Sequence, residues 1–414
     1  MRVIIIGNGV AGVNVARAIA DSGVADELII YSCEKHNYYP RPRLIELLTG
    51  DLPPEAIAQY PDDWYQRRKI DVRLGCCVAA IDRDARRITL ADGGHDTYDK
   101  LVLAIGAHSW VPPIAGAERQ GVHTLRTVRD AETIGAQARK AENVVCIGGG
   151  LLGLDTSMAL VRCGASPVIL EALPWLMPRQ LDREGAAVLQ ALIEARGAHV
   201  RVGVQVEEII GDGRVRSVRL KSGEELPADL VVVSAGVRSN LLLAQQAGLS
   251  CNRGIIVNER METDDPDIYA VGDCAEFKGM VWAIIPVALA QARVAAMQIC
   301  GQGDGLYEGV VPSTTLKVTG IDLTSIGEVN PQEGMFVEKR YQNAAGSVYE
   351  KLVIRDRRIV GAILLGDRSD VRAVNQLISR GVDVAPYIDR LFTAGLSLAD
   401  IVNAQSHANG GAHG

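Results

Sequence analysis

The chain has 414 residues, 48% of them hydrophobic and 22% charged, with a formal net charge of −7. Two or three domains are expected at that length, and the acidic balance excludes a broad nucleic-acid or acidic-membrane footprint. No apolar run reaches the length of a membrane-spanning helix, and the start lacks the tripartite pattern of a secretory signal, so a cytoplasmic protein is expected. Eight cysteines, at 33, 76, 77, 146, 163, 251, 274 and 300, form no CxxC or CxxxxC pattern. They are expected to be reduced and mostly buried, and no metal site is expected.

The first element is the apolar run Val3-Ile4-Ile5-Ile6, which leads into Gly7-Asn8-Gly9-Val10-Ala11-Gly12 and then a helix over 10–20. With a strand at 28–31 this is a βαβ unit whose strands should be parallel neighbours. Glycines in such a turn let N–H groups at a helix N-terminus approach a pyrophosphate, so Gly7, Gly9, Val10, Ala11 and Gly12 are candidate dinucleotide contacts. The acid that should meet a ribose hydroxyl after the second strand is Glu34. A short helix is expected at 44–48, and runs at 87–90 and 100–105 flank an Asp92-Gly93-Gly94 turn in the manner of a hairpin. Val111-Pro112-Pro113 reads as a linker.

A second unit repeats the plan. The strand Val144-Val145-Cys146-Ile147 is followed by Gly148-Gly149-Gly150-Leu151-Leu152-Gly153, a helix over 151–162, a strand at 168–170 and a helix over 183–195. Gly148, Gly150, Leu151, Leu152 and Gly153 are the matching contacts. Glu171, at the end of the second strand, would accept from a 2′-hydroxyl and repel a 2′-phosphate, favouring NADH over NADPH, with Arg179 as the residue that could reverse this. Internal duplication on this scale weighs more than either glycine turn alone. Beyond it come a short strand ending in Gly272-Asp273, a helix over roughly 287–299, antiparallel strands at 316–318, 348–354 and 359–365, and helices near 372–379 and 398–403. The Gly/Ala/His/Asn tail, with His407 and His413, is expected to be flexible.

These features, Gly7 to Gly12, Ala104-Ile105-Gly106, Gly148 to Gly153, Ser234-Ala235-Gly236-Val237 and Ile268 to Ala275, occur in order over about residues 1–310. In this respect the chain resembles the two-dinucleotide flavoproteins of the pyridine nucleotide:disulfide oxidoreductase family. Within it, Tyr38 to Leu44, Arg179 to Asp182 and residues 312–327 are similar to NADH:rubredoxin reductases, with the FAD-bearing part of nitrite reductase large subunits a close second. The resemblance implies two Rossmann-like, three-layer ββα domains and a C-terminal α+β domain. Their expected bounds are an FAD domain in two segments, 1–110 and 238–311, an inserted NAD(P)H domain at 111–237, and the C-terminal domain at 312–400 followed by a helix end and tail.

The resemblance also implies roles. FAD would lie on the first fold and NADH on the second. Glu34 would hold the adenosine ribose, Val78 the adenine through its backbone, and Asp273 the ribitol. Arg41, Pro42, Ala104, Gly106, Gly236 and Gly272 complete the candidate cofactor contacts. A helix opening at Pro286 and Val287 would point its positive end at the flavin ring. Asp155 stands where the family usually has glutamate, and its role near the nicotinamide is open. Family members that reduce disulfides carry cysteine on the helix that here reads Leu44-Ile45-Glu46-Leu47-Leu48. Hydride is therefore expected to pass directly to FAD and electrons to leave to a small carrier protein such as rubredoxin. Glu46 occupies the place of a lysine in dioxygenase-type ferredoxin reductases; it is either a proton relay or a carboxylate paired with Arg41 or Arg43. Other expectations are the flavin subunit of a nitrite-reductase-like system acting with a partner subunit, a ferredoxin reductase, an NADH oxidase, and a flavin-binding redox sensor. The C-terminal domain should form an interface, and a homodimer is one assembly it allows.

Overall fold

Val3, Ile4 and Ile5 are wholly buried because parallel strands are covered on both faces, which is why this stretch is apolar without alternation. The strand Arg2–Ile6 lies at the centre of a five-stranded parallel sheet in the order Ile268–Ala270, Lys100–Leu103, Arg2–Ile6, Glu27–Ser32, Ile70–Leu74. The expected parallel pair is present, with Arg2 opposite Glu27 and Ile6 opposite Tyr31. The helix Val10–Ser22 runs on until Gly23, whose left-handed φ of 70° ends it. It packs against Ile285–Ile299, which begins two residues before the expected start.

The structure is a computed structural model that describes residues 1–410 apart from 304, 311, 312, 319, 332, 333 and 394. It divides into two compact units. The first comprises Met1–Trp110, Arg126–Ala131 and Gly236–Val310. Besides the parallel sheet it holds a three-stranded antiparallel sheet, Val78–Asp82, Arg87–Leu90 and His95–Thr97. The expected hairpin is thus formed by Arg87–Leu90 with His95–Thr97. Lys100–Leu103 instead pairs in parallel with Arg2–Ile6 and Ile268–Ala270, and its apolar residues are buried.

The second unit comprises Val111–Leu125, Glu132–Ala235 and Val311–Gly414. Its parallel sheet runs His199–Val202, Val168–Glu171, Val144–Ile147, Leu230–Val233, Val122–His123, beside an antiparallel sheet of Val206–Asp212, Arg214–Leu220 and Glu225–Pro227. The same unit holds a five-stranded antiparallel sheet, Ser313–Val318, Ile321–Gly327, Arg358–Leu365, Tyr349–Arg355, Val337–Gln342, against which Val371–Ser379 packs. Sequence reading finds three of these strands and overlooks Ile321–Gly327 and Val337–Gln342. The latter is half exposed and rich in charge, so it lacks an apolar run. The final helix, Leu398–Gly410, extends past the expected end at Asn403 into the segment expected to be flexible. The expected domain start at Pro312 and the last part of the expected tail, 411–414, lie outside the described residues.

Candidate dinucleotide sites

The glycines of the first turn have separate reasons. A Cβ at Gly7, where φ is +111°, would collide with the Ala104 carbonyl oxygen, and one at Gly12 with the Gly7 carbonyl oxygen. Gly7 and Gly12 are therefore required by the packing of strand, helix and neighbouring strand. Gly9 differs, for a Cβ there meets no atom within 4 Å. It faces the open side of the helix N-terminus, where a phosphate would approach. At Gly272, where φ is +80°, an added Cβ would come within 2.9 Å of the Ala11 Cβ, and the Gly272 N–H donates to the buried Gln291 side chain at 2.8 Å. Gly7, Ala104 and Gly272 follow three adjacent parallel strands at their carboxyl ends, where open α/β sheets bind ligands.

Along this edge runs a chain of charged side chains. Glu34 accepts from Arg41 Nη2 at 2.6 Å and from the Tyr39 hydroxyl. Burial keeps the Tyr39 phenol protonated, far above its ordinary range, so it donates. Arg41 Nη1 donates to the carbonyl of Arg126, and Arg126 Nη2 reaches Asp273 Oδ2 at 3.1 Å. Ser239 Oγ donates to the Asp273 carbonyl at 2.8 Å, while Asn240 ties down the carbonyls of Ile105 and Gly106. Two buried donors here have no protein partner, Arg126 Nε and Asn8 Nδ2. Orphan donors beside a glycine turn suit an anionic ligand such as the pyrophosphate of FAD.

Arg126 escaped the sequence reading. Its signal was Thr127-Val128-Arg129-Asp130: Asp130 accepts from the N–H groups of Arg126 and Thr127 at 3.0 and 2.9 Å, and its own N–H donates to Thr127 Oγ1. That is a capping box, and it opens a helix, Val128–Ala138, absent from the sequence reading.

The other first-unit candidates are more scattered. Pro42 lies in the turn Arg41–Arg43, Val78 opens its strand opposite Leu90, and Gly236 accepts from Trp110 N–H at 2.9 Å. Pro286 and Val287 occupy the first turn of Ile285–Ile299. Glu46 is exposed. Its expected ion pair is not formed, because Arg41 is engaged by Glu34 and Arg43 donates to the Ile57 carbonyl at 2.9 Å. Cys33 and Cys77, expected to be free, are joined in a disulfide with their Cα atoms 4.5 Å apart. The parallel pairing of Glu27–Ser32 with Ile70–Leu74 brings the two chain segments together, which spacing in sequence does not reveal. Cys146 and Cys274 are buried thiols, but Cys76, Cys163, Cys251 and Cys300 are half-buried, so the expectation of mostly buried cysteines is not met.

The second unit holds the matching cradle. A Cβ at Gly148 would collide with the Ser234 carbonyl oxygen and one at Gly153 with the Gly148 carbonyl oxygen, whereas at Gly150 nothing lies within 4 Å. Leu151 and Leu152 open the helix Leu151–Arg162 and are exposed. Glu171 is buried, and its carboxylate is aimed by two backbone donors, Gly149 N–H at 2.7 Å and Leu173 N–H at 2.8 Å. One lone pair on each oxygen is left for a ribose hydroxyl. Arg179 is exposed. Asp155 lies on the same helix, and burial pushes its carboxyl up to about 7.

Known proteins resemble the chain over most of its length. Residues 312–382 match the rubredoxin NAD+ reductase C-terminal domain. The chain is 36% identical over 386 residues to a nitrite reductase [NAD(P)H] of Bacillus subtilis, covering 93% of this chain and 48% of that protein. It is 29% identical to an NADH-rubredoxin oxidoreductase of Clostridium acetobutylicum, covering 89% and 92%. The chain thus spans about half the length of the nitrite reductases it matches. Among solved structures, a covalent putidaredoxin reductase–putidaredoxin complex superposes with a TM-score of 0.87 at 28% identity, over 97% of this chain and 98% of that one. The model of the pyridine nucleotide-disulphide oxidoreductase family matches residues 1–298, well over half the sequence, and the chain belongs to that family.

Proposed function

We propose that this chain is an NADH-dependent flavoprotein reductase, taking hydride from NADH onto FAD and passing single electrons to a small carrier protein of the rubredoxin type. The observation that carries the reading is the pair of complete cradles, each with one glycine open to a ligand. FAD, when bound, supplies the conversion of a two-electron hydride into single electrons.

The residues divide the remaining work. In the first unit the helix N-terminus at Val10, with the orphan donors of Asn8 and Arg126, binds the pyrophosphate. Glu34, aligned by Arg41 and Tyr39, accepts from the adenosine ribose, and Asp273, aligned by Arg126, accepts from the ribitol. The N-terminus of Ile285–Ile299 would present its positive end to the isoalloxazine. In the second unit Glu171 selects NADH by accepting from the 2′-hydroxyl and opposing a 2′-phosphate. Asp155 keeps a proton near neutral pH at its carboxyl on the cradle helix.

Three features support a carrier as acceptor. The helix Leu44–Thr49 contains no cysteine that could relay electrons to a disulfide. The match to the clostridial NADH-rubredoxin oxidoreductase runs over nearly its whole length. A structural relative is captured with its carrier, putidaredoxin. The identity of 36% over half of a nitrite reductase supports a second reading, the flavin subunit of a nitrite-reducing system. Steady-state NADH oxidation by the FAD-loaded protein distinguishes them: rapid turnover with rubredoxin and slow turnover in air support the carrier reductase. Turnover dependent on a sirohaem subunit supports the second reading, and rapid turnover in air with no carrier overturns both.

A further inference from the structure

Cys33 immediately precedes Glu34, and Cys77 immediately precedes Val78, so the disulfide straps together the two segments assigned above to the adenosine half of FAD. The strap lies beyond the end of regular pairing between Glu27–Ser32 and Ile70–Leu74. There the two segments are joined by Cys76 N–H to the Ser32 carbonyl at 2.9 Å and Gly75 N–H to the Glu34 carbonyl at 3.0 Å, while the Cys77 carbonyl accepts from Ala91 N–H at 2.8 Å. It closes a loop of 44 residues that contains Tyr39 and Arg41, the two side chains that align Glu34. Cys33 is exposed and Cys77 part-exposed, so the bond is open to attack from solvent.

We propose that Cys33 and Cys77 form a thiol–disulfide switch that controls retention of FAD. The inference rests on the first cradle holding FAD. The reductant is a protein or small-molecule dithiol. One of its thiolates attacks a sulfur of the pair, breaking the Cys33–Cys77 bond and forming a mixed disulfide. Its second thiol then displaces the mixed disulfide, leaving two protein thiols and one oxidised dithiol, with two electrons and two protons transferred. Opening the strap returns conformational freedom to the loop carrying Tyr39 and Arg41, so the adenosine end loosens. The isoalloxazine end, tied to Asp273 and Ile285–Ile299, is not touched by the strap.

The test is release of FAD from the full-length, FAD-loaded protein, followed by the rise of free-flavin fluorescence on dilution. It is run oxidised and after dithiothreitol, with the Cys33–Cys77 bond assayed by non-reducing peptide mapping. The account expects the cross-linked peptide in the oxidised protein and release about tenfold faster after reduction. Cys33→Ser should release FAD at the fast rate under both conditions, whereas Cys76→Ser should still respond like the parent. Equal release rates in the oxidised and reduced parent, or absence of the cross-linked peptide, overturn the switch while leaving the FAD assignment standing. A protein that holds no FAD in either state overturns the FAD assignment and the switch with it. The parent comparison needs no variant, so a poorly folding Cys33→Ser does not weaken it.

Discussion

Arg126 and Asp273, 147 positions apart in sequence, meet at 3.1 Å on the carboxyl edge of the first parallel sheet. Both are part-buried, and Arg126 keeps its Nε without a protein partner. The pair joins the two ends of the proposed FAD site, because the Arg126 carbonyl also receives Arg41, which holds Glu34. Replacing Arg126 by alanine removes the free donor and unpairs Asp273. A charge-assisted bond of this kind is worth about 2 kcal/mol, so FAD affinity should fall roughly 30-fold in a fluorescence titration. An unchanged affinity would remove Arg126 from the site.

Gly9 and Gly12 should respond differently to the same small change. Gly9 has extended backbone geometry and open space for a methyl group, so Gly9→Ala should fold with a thermal midpoint close to the parent. Its FAD affinity should drop by at least about tenfold, since the methyl group occupies the path of the phosphate. At Gly12 the methyl would meet the Gly7 carbonyl, so that variant should lose about 3 kcal/mol or more of stability before any question of binding arises. Circular dichroism melts with flavin content separate the two outcomes.

Glu171 is aimed by Gly149 and Leu173, and its removal should act on coenzyme choice. Glu171→Ala should raise the KM for NADH about tenfold, in line with the loss of one charge-assisted bond. The preference over NADPH should narrow, because the repulsion of the 2′-phosphate goes too. Steady-state kinetics with both coenzymes give the answer; retention of full NADH preference would place the selecting residue elsewhere.

Two raised carboxyls should make the stability depend on pH. Burial raises Asp155 to about 7, and burial together with Asp370 and Asp367 raises Glu350 to about 7. Between their ordinary values near 4 and the raised values, the folded protein binds more protons than the unfolded chain. Stability should therefore fall as pH climbs from about 4 to about 7 and level off above. Asp155→Asn should remove part of that slope and stabilise the apoprotein at pH 8 by roughly 2 kcal/mol, with Glu350 and the likewise raised Asp370 contributing to what remains. Urea unfolding at pH 5 and pH 8 measures the difference.

Lys351 is buried between Asp182 at 3.0 Å and Glu338 at 2.9 Å, and Tyr349 donates to the same Asp182 oxygen at 2.7 Å. Asp182 also caps the helix Arg183–Glu194 by accepting from Gly185 N–H, so one carboxylate serves cap and ion pair. Lys351→Met removes the buried cation and leaves both carboxylates to Arg340, so it should cost about 2 kcal/mol in urea unfolding. Replacing Lys351, Asp182 and Glu338 together by apolar residues of similar volume should recover part of that loss.

The cradles were legible because their chemistry is local: strand, glycine turn and helix are adjacent in sequence, and Glu171 follows its strand directly. Arg126 was hidden because its value arises from a brief return of the chain to the first unit, at Arg126–Ala131. Lys100–Leu103 read as half of a hairpin since the Asp92-Gly93-Gly94 turn lies nearby, yet its partners are parallel strands far away in the sequence. The Cys33–Cys77 bond depends on the pairing of Glu27–Ser32 with Ile70–Leu74, a long-range register that no spacing rule encodes. Glu350 and Lys351 carry charge at buried positions of Tyr349–Arg355, so their burial contradicts their residue type.

The central claim is that two dinucleotides act on one chain, and rapid anaerobic mixing of the FAD-loaded protein with NADH tests it most directly. The account predicts loss of the oxidised-flavin absorbance within the dead time to about a second, followed by recovery when oxidised rubredoxin is added. A flavin that stays oxidised in the presence of excess NADH would contradict it.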